Sequence, residues 1–250
     1  FNFYLFYFFR KLYNLMYFGI YMMFFLSRFI YFFIIVLIIA NIVNNSYAEE
    51  PELTAAHKLL VKKNHLGNLE TPIKLKYIYK KKGSLEANFS DRVVMIVPNK
   101  DSEGYHNIKF DFFSGYHKED LSSARYKTTN PIFHAFWDHD INVMIRLTEG
   151  SVIYFRKRIT WSLSDENKFN IKPATCAYND KKFDGHKIEH MPYEQDYDSK
   201  NFAKFAKKKY YITLCEDIPG MIYEIETIIP SENGQEPLLQ ETLTLQKIIN

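Results

Sequence analysis

The chain has 250 residues, 47% of them hydrophobic and 17% aromatic, with 32 basic and 29 acidic side chains. Its formal charge of +3 sits entirely in the first 48 positions, where Arg10, Lys11 and Arg28 are the only charged residues; positions 49–250 carry 29 charges of each sign. That balance removes the support for a nucleic-acid-binding protein or a reader of acidic substrates, and no nucleic-acid partner is expected.

Between 29 and 43 only Asn41 breaks an apolar run that Arg28 precedes, and Ser46 and Ala48 put small residues just before Glu49. A positive flank, an apolar core and a small-residue exit describe a secretory signal peptide over 1–48, cut between Ala48 and Glu49. Because the chain opens on Phe1, and Met22 or Met23 would start a leader of ordinary length, the earlier positions read as an over-extended start. An uncleaved membrane anchor is the alternative, since the apolar sequence upstream can supply the ~20 residues of a span. Either way 49–250 is expected to be a single exported domain, periplasmic or secreted, with the positive charges on the inner side of the leader. Its about 200 positions suffice for one hydrophobic core and not comfortably for two.

The stretch 49–71 is polar around Leu59, Leu60 and Val61 and reads as an arm or a short helix. Ile73, Leu75, Tyr77 and Tyr79 then alternate with lysines, which is the period of a half-buried strand. A turn at 82–84 leads to a second strand, with Leu85, Ala87 and Phe89 running on into 93–97. A third strand holds Ile108, Phe110 and Phe112 on one face. From 116 to 129 the chain is a polar connection.

The stretch 130–163 reads as a helical hairpin. Asn130 can cap the first helix with Pro131 at its first position. Phe133, Trp137, Ile141, Met144, Ile145 and Thr148 recur at helical spacing. Gly150 is the expected stop and Ser151 the expected cap of the second helix, striped by Val152, Phe155, Ile159 and Leu163. Packed on a sheet, this hairpin should bury Trp137, Ile141, Met144, Phe155 and Ile159 and leave His134 and Arg158 more exposed. Five further strands follow, about 171–178, 183–191, 210–215, 221–229 and 238–249, with Phe202 and Phe205 able to anchor one helical turn between them. Asp217-Ile218-Pro219-Gly220 reads as a tight turn. Strands grouped on both sides of a helical block make an α+β fold, drawn here as a curved antiparallel sheet of about eight strands wrapped around the central hairpin.

Asn130-Pro131, Arg146-Leu147-Thr148-x-Gly150-Ser151, Tyr154-Phe155-Arg156-x-Arg158-Ile159 and Pro219-Gly220 with Glu224 resemble a family of small exported alphaproteobacterial proteins with no assigned activity. The resemblance covers about 85–245. It implies export and a single domain and supplies no function.

His186-Lys187-Ile188-Glu189-His190 matches the H-x-x-E-H order of an inverted zinc-protease motif, which needs both histidines on one helical face. Asp184-Gly185 before it and Pro192 after it argue for a strand, where His186 and His190 share a face and Glu189 points away. His134 and Asp138, four apart on the first helix, could share a metal, yet a third ligand is missing. His134, Asp138, His139 and Asp140 therefore read as a polar helix face. Cys176 and Cys215, the only cysteines, lie in strand-like segments. Exported and on neighbouring strands they can form a disulfide; two buried free thiols are the other reading. The basic tracts 80–82, 156–158 and 207–209 read as solvated faces unless they converge on lipid headgroups or another acidic surface. No G-x-S-x-G elbow, Walker loop or dinucleotide fingerprint occurs, and no cofactor is expected. These features favour a non-enzymatic binding or envelope module whose partner is an apolar small molecule or an envelope protein. The alternatives are a secreted effector, or a hydrolase whose site is assembled from separate segments.

Overall fold

Alternation with a period of two builds most of this chain. The computed structural model describes Arg28, 31–32, 34–36, 53–194, 202–234 and 236–250. The proposed cleavage point between Ala48 and Glu49 lies outside these residues, and no described helix is long and apolar enough to cross a membrane. Residues 53–250 form one compact unit.

The strands are β1 (Ile73–Gly83), β2 (Phe89–Lys100), β3 (His106–Phe112), β4 (Ala124–Tyr126), β5 (Phe169–Tyr178), β6 (Lys181–His190), β7 (Lys209–Leu214), β8 (Ile222–Ile229) and β9 (Leu239–Ile249). They make one curved nine-stranded sheet in the order β4-β3-β2-β1-β9-β8-β7-β6-β5, with every neighbouring pair antiparallel. The fold is therefore the expected α+β arrangement. Its additional strand, β4, is a three-residue piece at one edge, inside the stretch expected to be a plain connection. Breaks in register within the β1–β9, β2–β3 and β7–β8 pairs mark bulges, which bend and twist a sheet.

The order of the strands explains the place of the helices. The first four strands step outwards from β1 to one edge, and the last five step inwards from the opposite edge until β9 pairs with β1. The chain must cross the full width of the sheet between β4 and β5. It does so with α2 (Ile132–Thr148) and α3 (Val152–Ser162), the expected hairpin. The described residues also form α1 (Ala55–His57), which runs on as a π-helical turn (Lys58–Lys62), and α4 (Ala203–Ala206), seated by buried Phe202 and Phe205.

Local chemistry fixes the ends of the hairpin. Asn130 Oδ1 accepts the Ile132 N–H at 3.0 Å, while its Nδ2 donates to Gly220 O at 2.7 Å, so one side chain both caps α2 and ties it to the β7–β8 turn. A Cβ on Gly220 would meet Leu75 and that same Asn130 amide within 3 Å. Ser151 accepts the Tyr154 N–H and caps α3. The stop of α2 differs from expectation: the left-handed residue is Glu149 (φ 57°). Gly150 matters for space, because a Cβ there would lie 2.7 Å from the Phe155 ring. The second strand also starts later than its alternation implies. Leu85 belongs to the β1–β2 turn, where the Ser84 and Leu85 N–H groups both donate to Leu238 O.

Ile73, Leu75, Tyr77 and Tyr79 of β1, Val93, Met95 and Val97 of β2, and Leu239, Leu243 and Leu245 of β9 are all buried. Phe133, Phe136, Trp137, Ile141, Val143 and Met144 of α2, with Phe155 and Ile159 of α3, join them in one core. At roughly 1.5–3 kcal/mol for each fully buried large apolar side chain, this contact is the main source of stability. Arg158 is half-buried and His134 exposed; Val152, at the start of the expected stripe, faces solvent.

Candidate functional site

The centre of the concavity is filled with side chains, and open space remains at its margins. There a cleft of about 510 Å³ is lined by Lys81, Glu86, Ala87, Asn88, Phe89, Phe113, His117, Glu119, His139 and Arg146. The β1–β2 turn supplies one wall, the segment after β3 a second, and α2 the floor. Phe113 holds φ at 63°, a conformation a bulky residue rarely adopts. The turn is pinned by Asp91, whose carboxylate accepts the Ser114 N–H at 2.8 Å and its hydroxyl at 2.9 Å. The pinned turn brings the Phe113 ring edge-on to Phe89 (5.2 Å) and to His139 (5.1 Å), and Phe89 in turn meets His117 at 4.4 Å. The cleft thus has an aromatic lining and a charged rim. Glu86 takes Lys81 at 2.6 Å and Arg146 at 3.0 Å, and these cations hold its carboxyl below the usual range against the opposing effect of partial burial.

Beneath the cleft lies a buried polar cluster. His139 Nδ1 is 2.6 Å from Glu119 Oε1 and its Nε2 is 3.1 Å from the Tyr79 hydroxyl. Tyr79 donates to Glu241, which also receives Thr227 Oγ1 at 3.4 Å. The next residue on the helix, Asp140, accepts from Lys208 and, at 2.6 Å, from the Tyr210 hydroxyl; Tyr210 meets Tyr193 at 3.2 Å. Asp140, Lys208 and Glu241 are fully buried. Burial alone would lower the pKa of His139, but Glu119 and Glu241 lift it to about 9, so the ring is an imidazolium at neutral pH. The same contacts hold Glu241 below the ordinary carboxylate range although burial opposes this. Burial pushes Asp140 upwards, and the adjacent Glu241 adds to the shift.

These facts limit the chemistry. A histidine held protonated between carboxylates is not a free general base. None of the residues lining the cleft carries a hydroxyl or thiol nucleophile, and both cysteines are oxidised. The arrangement suits binding: an aromatic surface beside the paired charges of Lys81, Arg146 and Glu86.

The residues expected to bind metal go elsewhere. His134 and Asp138 are exposed, and Asp138 pairs with Arg156 of α3 at 2.8 Å. His186 and His190 sit on β6, a strand, which removes the helical face that the H-x-x-E-H order requires. His186 is exposed. His190 is buried, stacked on Phe169 at 4.4 Å and 2.6 Å from Ser162 Oγ, and burial pushes it down to about 3. Among the described residues no group of three or more potential ligands gathers. His139 and Asp140 correct the expectation of a polar helix face: both are buried, because α2 is covered on more than its striped side. Cys176 and Cys215 form a disulfide with Cα atoms 6.4 Å apart, but not between neighbouring strands. Cys176 lies on β5 and Cys215 just after β7, with β6 between them, and the bond passes where Gly185 has no side chain. A Cβ there would be 2.4 Å from Cys215 Sγ.

Sequence reasoning missed Glu119, Glu241 and Lys208 as inward-facing groups. For two of them the signal is parity. Glu241 has the same parity as Leu239, Leu243 and Leu245, and Lys208 the same as Tyr210 and Ile212, so each falls on the inner face. Lys207-Lys208-Lys209, which reads as a solvated tract, contains one fully buried lysine. Glu119 sits between β3 and β4, where an isolated bridge ties it to Phe112, and no pattern marks it.

No protein-family model and no curated protein matches this chain. Among solved structures it is similar to the lipoprotein LppX of Mycobacterium tuberculosis, with 11% identity, 71% of this chain and 88% of that one covered, and a TM-score of 0.27. A DUF1329 family protein from Desulfovibrio piger gives 10%, 78%, 91% and 0.24 for the same quantities. A LolA superfamily protein from Nitrosomonas europaea gives 7%, 77%, 92% and 0.20. Scores this low place no ligand or activity on this chain.

Proposed function

We propose that this protein is an exported, non-enzymatic binding module that takes a small amphipathic molecule in the cleft between the β1–β2 turn and α2. The observation that carries the reading is the juxtaposition of the Phe89 and Phe113 rings with Lys81 and Arg146 in one open cleft. The apolar part of the ligand lies on the two phenylalanines, and an anionic head meets the cations of the rim. Buried aromatic surface supplies affinity, and the few polar groups fix orientation. The module holds its ligand at one end of the concavity, since the middle is already packed. Export is supported by the leader pattern and by the disulfide, a bond that persists in oxidising compartments.

The test is titration calorimetry with a medium-chain carboxylate, its methyl ester and the corresponding alkane diol. Binding of the carboxylate that weakens with Phe113→Ala and with Arg146→Gln supports the reading. No carboxylate binding, or binding indifferent to both substitutions, removes it.

A further inference from the structure

We propose that the solvent-facing side of α3 docks on an anionic phospholipid surface, an interaction separate from the cleft and independent of what the cleft holds. The inner side of α3 buries Phe155, Ile159 and Ser162. The other side presents Val152, Ile153, Arg156, Lys157, Thr160 and Trp161. Ile153 is 68% and Trp161 63% exposed. A single exposed apolar residue is ordinary. Here, however, Ile153, Lys157 and Trp161 are spaced by four and form one row along the helix, and Lys157 Nζ stands 5.6 Å from the Trp161 ring centroid.

Charge selects the occupant. α3 contains three cations, Arg156, Lys157 and Arg158, and no acidic residue. The acids that follow the helix are turned to backbone work: Asp165 accepts the Asn167 N–H and Glu166 the Ala55 N–H. Arg156 reaches Asp138, with both side chains at least half exposed, a pairing worth little in water and easily exchanged. An indole and an aliphatic side chain that sit at the level of lipid headgroups, with lysine and arginine stems lying along the same surface, make an interfacial helix. Cations beside them are attracted to an anionic leaflet. An acidic protein would satisfy the charges and leave the exposed Ile153 and Trp161 unexplained.

The chain's two tryptophans make the test direct. Trp137 is 8% exposed, Trp161 is exposed, and positions 1–48 contain none, so emission changes report on α3 even where the leader itself meets lipid. The full chain is mixed with phosphatidylcholine vesicles, with or without phosphatidylglycerol, with brominated acyl chains as quenchers. The expected result is a blue shift and quenching with the anionic vesicles only, both abolished by Trp161→Phe and by high salt. Lys157→Gln, at an exposed position, should lower the ratio of docked to undocked protein by about fivefold. Unchanged emission in anionic vesicles overturns the proposal. So does equal quenching in both lipids, or the same blue shift on addition of polyglutamate, which would identify an acidic polymer as the partner.

Discussion

His139 and His190 are both buried against the inner face of the sheet, and their protonation is opposite. His139 lies between Glu119 and Glu241 and is lifted to about 9; His190 lies between Phe169 and Ser162, with Lys168 nearby, and is pushed down to about 3. Desolvation acts on both in the same direction, against the charged ring. What differs is the neighbouring charge, two carboxylates beside His139 and Lys168 beside His190, and it reverses the outcome. Each histidine also characterises its half of the molecule. Around β1 and β9 the interior is held by a compensated set of charges, with Lys208, Asp140, Glu241 and the His139 imidazolium in reach of one another. Around β5 and β6 it is held by the stack of His190 on Phe169 and the Cys176–Cys215 bond.

The largest effect should come from breaking the charged half. Glu241→Ala leaves His139 and Lys208 short of a buried anion and should cost about 3–5 kcal/mol in urea unfolding. The joint replacement Asp140→Leu with Lys208→Met should cost less than either change alone, because the pair disappears with its desolvation penalty. A Glu241→Ala cost within about 0.5 kcal/mol, the range of an ordinary surface change, would show that the cluster contributes nothing to stability.

Next in size is the half around His190. Its disulfide closes a sequence separation of 39 residues, and removing it with the double change Cys176→Ser and Cys215→Ser should cost about 2–4 kcal/mol. The loss should appear as a lower urea midpoint without reductant, and vanish when wild type and variant are compared in reductant.

The pH dependence sharpens the contrast further. The folded pKa of His139 is raised from 6.5 to about 9, so its contribution is complete below about 6.5 and declines as pH rises through about 9. His190 is lowered from 6.5 to about 3; its unfolded form takes up a proton first, so its contribution is complete above about 6.5 and is lost as pH falls towards 3. His139→Gln should therefore flatten the alkaline limb of the stability profile. His190→Phe should flatten part of the acid limb, leaving the share owed to Glu86, Asp91 and Glu241, whose carboxyls are held low. Imidazole titrations by NMR check both assignments.

The smallest effect is expected at a histidine outside both clusters. His134 is exposed on α2, and His134→Ala should alter stability by no more than about 0.5 kcal/mol. A larger loss would mean that the contacts of the His134 ring with Phe133 and Trp137 stabilise the helix.

Much of the fold could be read from side-chain period alone. Alternation located the core strands, and the spacing of Phe133, Trp137, Ile141 and Met144 located α2. Between β5 and β6, Asn179 and Asp180 both take positive φ, as a two-residue hairpin turn requires. The reading failed where a local pattern had two outcomes. Leu85 alternates with Phe89 and yet belongs to a turn, because its backbone partner, Leu238, is distant in sequence. His139 and Asp140 looked like solvent-facing residues because polarity was taken to mean exposure, and their partners Glu119, Glu241 and Lys208 come from other elements.

The sequence by itself determined the strand and helix periods, the caps at Asn130 and Ser151, and a leader distinct in composition from the rest. Each is set by residues within a turn or two of one another, where spacing and side-chain chemistry suffice. Tertiary structure decided that β9 pairs with β1, that the disulfide spans β6 over Gly185, and that Asp140 and Glu241 are paired inside the molecule. It also decided that a cleft opens beside Phe89 and Phe113. These features depend on which distant segments the curved sheet brings together, and the energy of a buried charge depends wholly on the neighbours that result.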